Sequence, residues 1–99
     1  MNEESLTKLV RFLCQHVHGL FVCGSYGSGP LMNLNERKRV VEIVAENRRP
    51  ETQFIVHVGT TNVRDTVELA RHAEATGAEK VASVVPYYFH HNNESIRLY

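Results

Sequence analysis

Three short apolar runs decide what this chain can fold into: Leu20-Phe21-Val22-Cys23, Phe54-Ile55-Val56-His57-Val58 and Val81-Ala82-Ser83-Val84-Val85. A strand with one wet face alternates apolar with polar residues. These runs barely alternate, so each reads as a strand buried on both faces. The segments between them have helical periodicity, and strands that alternate with amphipathic helices predict a parallel sheet with right-handed crossovers. The fold class is therefore α/β.

The helical segments carry their own punctuation. Leu6, Leu9, Val10, Leu13, Cys14 and Val17 form a stripe that Gly19 ends, with Glu3 and Glu4 near its start where carboxylates suit the helix dipole. Asn33-Leu34-Asn35-Glu36 fits a capping box; Leu34, Val40, Val41 and Val44 then face inward, leaving Arg37, Lys38, Arg39 and Glu42 mostly outside, until Pro50. A third helix is predicted from Asn62, with Val63, Val67, Ala70 and Ala73 inside and Gly77 as its left-handed terminator. A last helical start appears at Asn93. Three strands would leave two open edges, and the chain begins on a helix and ends inside one. The pattern reads as a slice of something larger.

Composition narrows the partners. Eleven basic residues balance eleven acidic ones, which gives no electrostatic case for nucleic acid or an anionic membrane. No apolar run approaches the roughly 20 residues that span a bilayer, and the acidic N-terminus lacks the features of a signal peptide. Cys14 and Cys23 sit in apolar settings without a CxxC, and read as reduced, buried thiols of a cytoplasmic protein.

In a parallel sheet the carboxyl ends of the strands share one side, and ligands bind there. Gly24-Ser25-Tyr26, Gly59-Thr60-Thr61 and Pro86-Tyr87-Tyr88 would lie on that rim, a set of amides and hydroxyls suited to a carboxylate or phosphate. The same residues also suit the plain work of ending strands and capping helices. Gly24, Gly27 and Gly29 run GxxGxG, not the dinucleotide fingerprint, and no GK[ST] marks a P-loop. His16 and His18 would lie about 200° apart around a helix, poor for chelation. His90 and His91 fall on a loop, and His57 suits a hydrogen-bonded interior position, so no metal site and no cofactor are assigned. Lys80 starts its strand, and Lys8 and Lys38 lie on exposed helix faces; none is placed to be a Schiff-base nucleophile.

Residues 19–31 (GLFVCGSYGSGPL), 36–42 (ERKRVVE), 57–61 (HVGTT), 68–73 (ELARHA) and 85–88 (VPYY) together resemble the dihydrodipicolinate synthase / N-acetylneuraminate lyase family in order and spacing. That resemblance implies an incomplete (β/α)8 TIM barrel. Residues 1–99 would be part of one barrel domain, about its second to fourth strands. It implies a lyase or aldolase that binds pyruvate or another 2-oxo acid as a Schiff base and makes or breaks a carbon–carbon bond. Gly24, Ser25 and Tyr26 would then hold the substrate carboxylate. Ser25 would also join a proton relay, completed by Tyr88 reaching into a neighbouring subunit of a homo-oligomeric dimer of dimers. Ser28 replaces the family's usual glutamate and Tyr26 its usual threonine, which suggests a divergent subgroup. The Schiff-base lysine would lie outside these residues, so the 99-residue chain alone is expected to be inactive. The other reading is a non-catalytic product, or an interaction module that docks on barrel subunits.

Overall fold

In the computed structural model, residues 2–24, 27, 29–84 and 92–98 are described. Their order is α1 (Glu3–Leu13), β1 (Gly19–Val22), a 3₁₀ turn (Gly29–Leu31), α2 (Leu34–Asn47), β2 (Gln53–His57), α3 (Val63–Ala75), β3 (Lys80–Ala82) and α4 (Asn93–Leu98).

Asparagine opens all four helices among the described residues. Asn2 Oδ1 accepts from the Ser5 amide at 3.0 Å, Asn62 Oδ1 from Arg64 at 2.9 Å, and Asn92 Oδ1 from Ser95 at 2.8 Å. Asn33 makes the reciprocal box predicted from its sequence: its Oδ1 accepts from the Glu36 amide at 2.8 Å, and Glu36 Oε1 accepts from the Asn33 amide at 3.0 Å. The short amide side chain reaches back to the amides that the first helical turn leaves without partners. At the other end of α3, Gly77 has φ +95°, the Gly77 amide donates to Glu74 and the Ala78 amide to Ala73, a complete Schellman motif.

The three strands are parallel in the order β1-β2-β3, with Phe21 opposite Ile55 and Val56 opposite Val81. Val10 from α1 and Cys14 at its cap, Val40, Val41 and Val44 from α2, and Leu69 and Ala73 from α3 pack against Val22, Phe54, Val56 and Val58. Helices therefore cover one face of the sheet. The opposite face carries Phe21, which is 58% exposed, and the half-buried Ile55 and Ala82. The expectation of strands buried on both faces fails at Phe21: the side chains are apolar on both sides, but the described residues supply helical cover for only one.

Four other expectations shift. Arg37, expected outside, is buried. On α3 the buried residues are Leu69 and Ala73, while Val63 and Val67 are exposed. Helix α1 stops at Leu13, so Val17 lies beyond it and is exposed. Strand β3 is also shorter than its apolar run, Lys80–Ala82. Cys14 and Cys23 are free thiols in the core, as expected.

Polar links fix the helices to one another. Arg39 pairs with Glu3 at 2.9 Å and Arg11 Nε donates to Asn47 Oδ1 at 3.0 Å, joining α1 to α2. Lys38–Glu68 at 2.8 Å and His72–Glu42 at 2.9 Å join α2 to α3. At the amino end of the sheet, Arg48 lies 4.8 Å over the Phe54 ring and bonds the Glu79 carboxylate, whose other oxygen accepts the Phe54 amide at 3.0 Å. That bond from Arg48, with the Phe54 amide second, holds Glu79 below the usual carboxylate range. Among the described residues no helix is long and apolar enough to cross a membrane.

Candidate functional site at the carboxyl ends of the strands

Strand β1 ends in a tight turn. Cys23 adopts φ 62°, the left-handed region, which costs an L-residue about 1–2 kcal/mol. The Gly24 carbonyl then accepts two amides, Gly27 at 3.0 Å and Gly29 at 3.1 Å. A side chain at Gly29 would put its Cβ 2.0 Å from the Cys23 carbonyl oxygen, so only glycine fits under the turn. At Gly24, the Phe21 ring already occupies the place of a Cβ. The turn brings Gly24 to the carboxyl end of β1, where the sequence places it. Ser25, Tyr26 and Ser28 lie outside the described residues, as do residues 85–91 with Tyr88.

After β2 the hydroxyls have other employment. Thr60 Oγ1 accepts the Asn62 amide at 3.0 Å and bonds the Asn62 carbonyl, while the Thr60 amide donates to Thr66 Oγ1 at 3.1 Å. The segment offered for an anion thus builds the entrance to α3, the structural alternative that the sequence left open. Thr61 is exposed. Between this turn and the glycine loop lies a cleft of ≈ 330 Å³, with Asn33, Arg37, Thr61 and Asp65 on its wall. Its lining takes in Thr60 and Thr61 of the expected rim, and Gly29 and Pro30 of the glycine loop in place of Gly24.

Beneath them is a pair that sequence reasoning did not join. Arg37 on α2 reaches the end of β2 and donates from Nη2 to the His57 carbonyl at 2.7 Å and from Nη1 to the Gly59 carbonyl at 3.0 Å. The buried guanidinium is held because its two Nη groups meet carbonyl oxygens freed where the strand ends, while Nε is buried without a hydrogen-bond partner. The Cys23 thiol lies 4.0 Å from the Arg37 carbonyl, which it faces. Burial pushes that thiol up, with the Arg37 charge acting against it, so the sulfur is protonated at neutral pH and is no nucleophile. The signal for Arg37 was in the sequence: Arg37, Val40, Val41 and Val44 stand at i, i+3, i+4 and i+7, the core stripe itself.

His57 is buried, the interior position expected of it, and its Nε2 accepts the Val84 amide at 3.2 Å. Burial first, then the Arg37 charge, hold the ring below the ordinary histidine value of 6.5, with the Cys23 backbone pulling weakly the other way. Lys80 begins β3, Lys8 pairs with Glu4 at 3.3 Å, and Lys38 is held by Glu68; none stands at the carboxyl ends of the strands. The chain's described part offers binding groups and no imine-forming amine at this rim.

Comparison with known proteins bears on the fold and the family. N-acetylneuraminate lyase of Salmonella paratyphi B is 40% identical over 90 residues, 90% of this chain and 30% of that protein. Among solved structures, the catalytic-lysine mutant of Ruminococcus gnavus sialic acid aldolase superposes with a TM-score of 0.94 at 32% identity, covering 99% of this chain and 32% of that one. Dihydrodipicolinate synthase from Aquifex aeolicus gives 0.81 at 28% identity, over 88% and 30%. The chain thus spans about 30% of the length of the curated relatives it matches. Its three strands are a part of the TIM-barrel fold of these aldolases. A family model matches residues 1–99 throughout, and the chain belongs to the dihydrodipicolinate synthetase family.

Proposed function

We propose that these residues supply the substrate-carboxylate segment of a Schiff-base lyase, as about the second to fourth strands of a (β/α)8 barrel. In this reading the amides and hydroxyls of Gly24, Ser25 and Tyr26 hold the carboxylate of pyruvate or a related 2-oxo acid. Ser25 and Tyr88 pass the proton that carbon–carbon cleavage or condensation requires. Fixed donors aimed at a carboxylate orient the 2-oxo carbon for an amine and stabilise charge without reorganising. The amine comes from a lysine outside the 99 residues, and imine chemistry on that lysine needs no bound cofactor. The working enzyme is a cytoplasmic homo-oligomer, a dimer of dimers, with Tyr88 crossing to a neighbouring subunit's site.

The observation that carries this is the glycine turn itself. It leaves β1 at the ligand-binding end of a parallel sheet, and its shape is dictated by Cys23, Gly24 and Gly29. The lyase at 40% identity and the sialic acid aldolase reported above support N-acetylneuraminate or a similar acylamino sugar acid as the substrate. The exposed Phe21 face supports a second reading, a module that docks on barrel subunits without catalysing anything.

Borohydride trapping in the presence of pyruvate tests the first reading. The 99-residue chain should gain no mass at Lys8, Lys38 or Lys80, whereas a whole barrel carrying these residues should be trapped at another lysine. In that barrel Ser25→Ala should slow turnover by about 100-fold or more, the usual worth of a positioned proton carrier. An unchanged rate removes Ser25 from the relay. Trapping at Lys80 removes the proposal.

A further inference from the structure

Three strand ends converge on one imidazole. His57 closes β2, and its Nε2 accepts the Val84 amide, two residues past the end of β3, at 3.2 Å. Its carbonyl is held by Arg37 at 2.7 Å. On the β1 side its ring faces Phe21, with centroids 6.1 Å apart, and the Cys23 backbone. The next residue, Val58, donates its amide to the Ala82 carbonyl at 2.8 Å, the last backbone bond between β2 and the β3 segment before the ring takes over. Gly59 leaves room for this arrangement: a Cβ there would stand 3.0 Å from His57 Nε2 and 3.0 Å from the Val84 nitrogen.

We infer that His57 is a positioning residue, a side-chain latch that fixes where the chain leaves β3 on its way to residues 85–88. A ladder bond from the Val84 amide to a carbonyl would be indifferent to pH; a bond to a ring nitrogen is not. Nε2 can accept only while it carries no proton, so the latch requires the neutral ring with its hydrogen on Nδ1. Protonation turns the acceptor into a donor facing another donor and opens the latch. The charged group acting on the ring among the described residues is the Arg37 guanidinium from α2, while Cys23 at the end of β1 meets the ring through its backbone. Burial pushes the Cys23 thiol up, so it stays protonated across the range in which the ring titrates. What the latch means for Tyr88 rests on the function proposed above, but the latch itself does not.

The test is nuclear magnetic resonance on the 99-residue chain from pH 8 down to the pH at which the His57 ring has taken up its proton. The His57 ring nitrogens should report Nδ1–H and a bare Nε2 at pH 8. The Val84 amide should be protected from exchange there, and lose roughly tenfold of that protection, the worth of one net hydrogen bond, as the ring protonates. His57→Gln, whose amide oxygen can accept the same bond, should keep Val84 protected and abolish the pH dependence. His57→Ala should lose protection at every pH, and Gly59→Ala should do the same by crowding the bond. An Nε2–H ring at pH 8, or a Val84 amide that ignores the ring's titration, overturns the latch. Either result leaves the carboxylate loop untouched, since pyruvate trapping and Ser25→Ala read that separately.

Discussion

Single residues set the shape of the rim, and their replacement should show it. Gly29→Ala forces a methyl onto the Cys23 carbonyl, and overpacking of that kind costs about 1–3 kcal/mol. Gly77→Ala meets no atom within 4 Å but must hold φ +95°, so its cost of about 1 kcal/mol is purely conformational. Urea unfolding should separate the two, since only Gly29→Ala should also disturb the Cys23 and Gly24 amide resonances. His57 adds a pH dependence whose sign follows from its depressed value. The neutral ring stabilises the fold fully above about 6.5, and that contribution is lost as pH falls through the lower folded value. Thermal midpoints should therefore decline from about pH 6.5 downward, and His57→Gln should flatten the decline. Glu79 gives a second loss in more acid solution, below 4.5, because its ordinary value lies there and the folded one lower. At this scale much was legible in the sequence, including Gly77 and the interior His57. Cys23 was not, because a positive φ at a non-glycine residue comes from the packing around it and leaves no mark in the residue type.

Among the elements, helix starts were the most readable feature and strand burial the least. A cap is a local event between residues two or three apart, so Asn33 and Glu36 announce it directly. Asn33→Ala should cost about 1 kcal/mol and fray the first turn of α2, seen as faster exchange at Glu36 with the rest of the helix unchanged. The α3 stripe was misread because its apolar residues occupy two adjacent faces. Thr66, Leu69, Ala70 and Ala73 run toward the sheet, while Val63 and Val67 run beside them toward water. Periodicity states that a stripe exists; tertiary contact selects which of two wins. Arg37 shows the opposite error, a residue assigned by its charge when its position in the stripe was the better guide. Arg37→Leu should cost about 2–4 kcal/mol, more than a surface arginine could, since it strips two donors from buried strand-end carbonyls. Denaturant titration of that variant beside Arg49→Leu, which alters an exposed residue, checks the difference.

For the molecule as a whole, the described helices cover one face of the sheet, and the exposed part of the other should govern its behaviour in solution. Phe21 at 58% exposure, with Ile55 beside it, gives a continuous apolar strip along β1 and β2. Sedimentation should show concentration-dependent self-association of the chain. Phe21→Ser should reduce it while changing stability by no more than about 0.5 kcal/mol, as a surface substitution does. Association that persists in Phe21→Ser would point to the strand edges instead. Parallel order was legible from the run-and-helix alternation. The bare face was not, because a sequence states which side chains want cover and not whether cover is supplied. The strand order has a further consequence in time. Among the described residues each strand pairs with the next in sequence, β1 with β2 and β2 with β3. Every partnership can thus close through a single intervening helix, without waiting for a distant segment. Parallel pairings close slowly because each spans a whole crossover, and this order keeps every crossover to one helix. On a ribosome, β1 and β2 could be zipped together before β3 had left the exit tunnel, so that the N-terminal layers template the ones still being made.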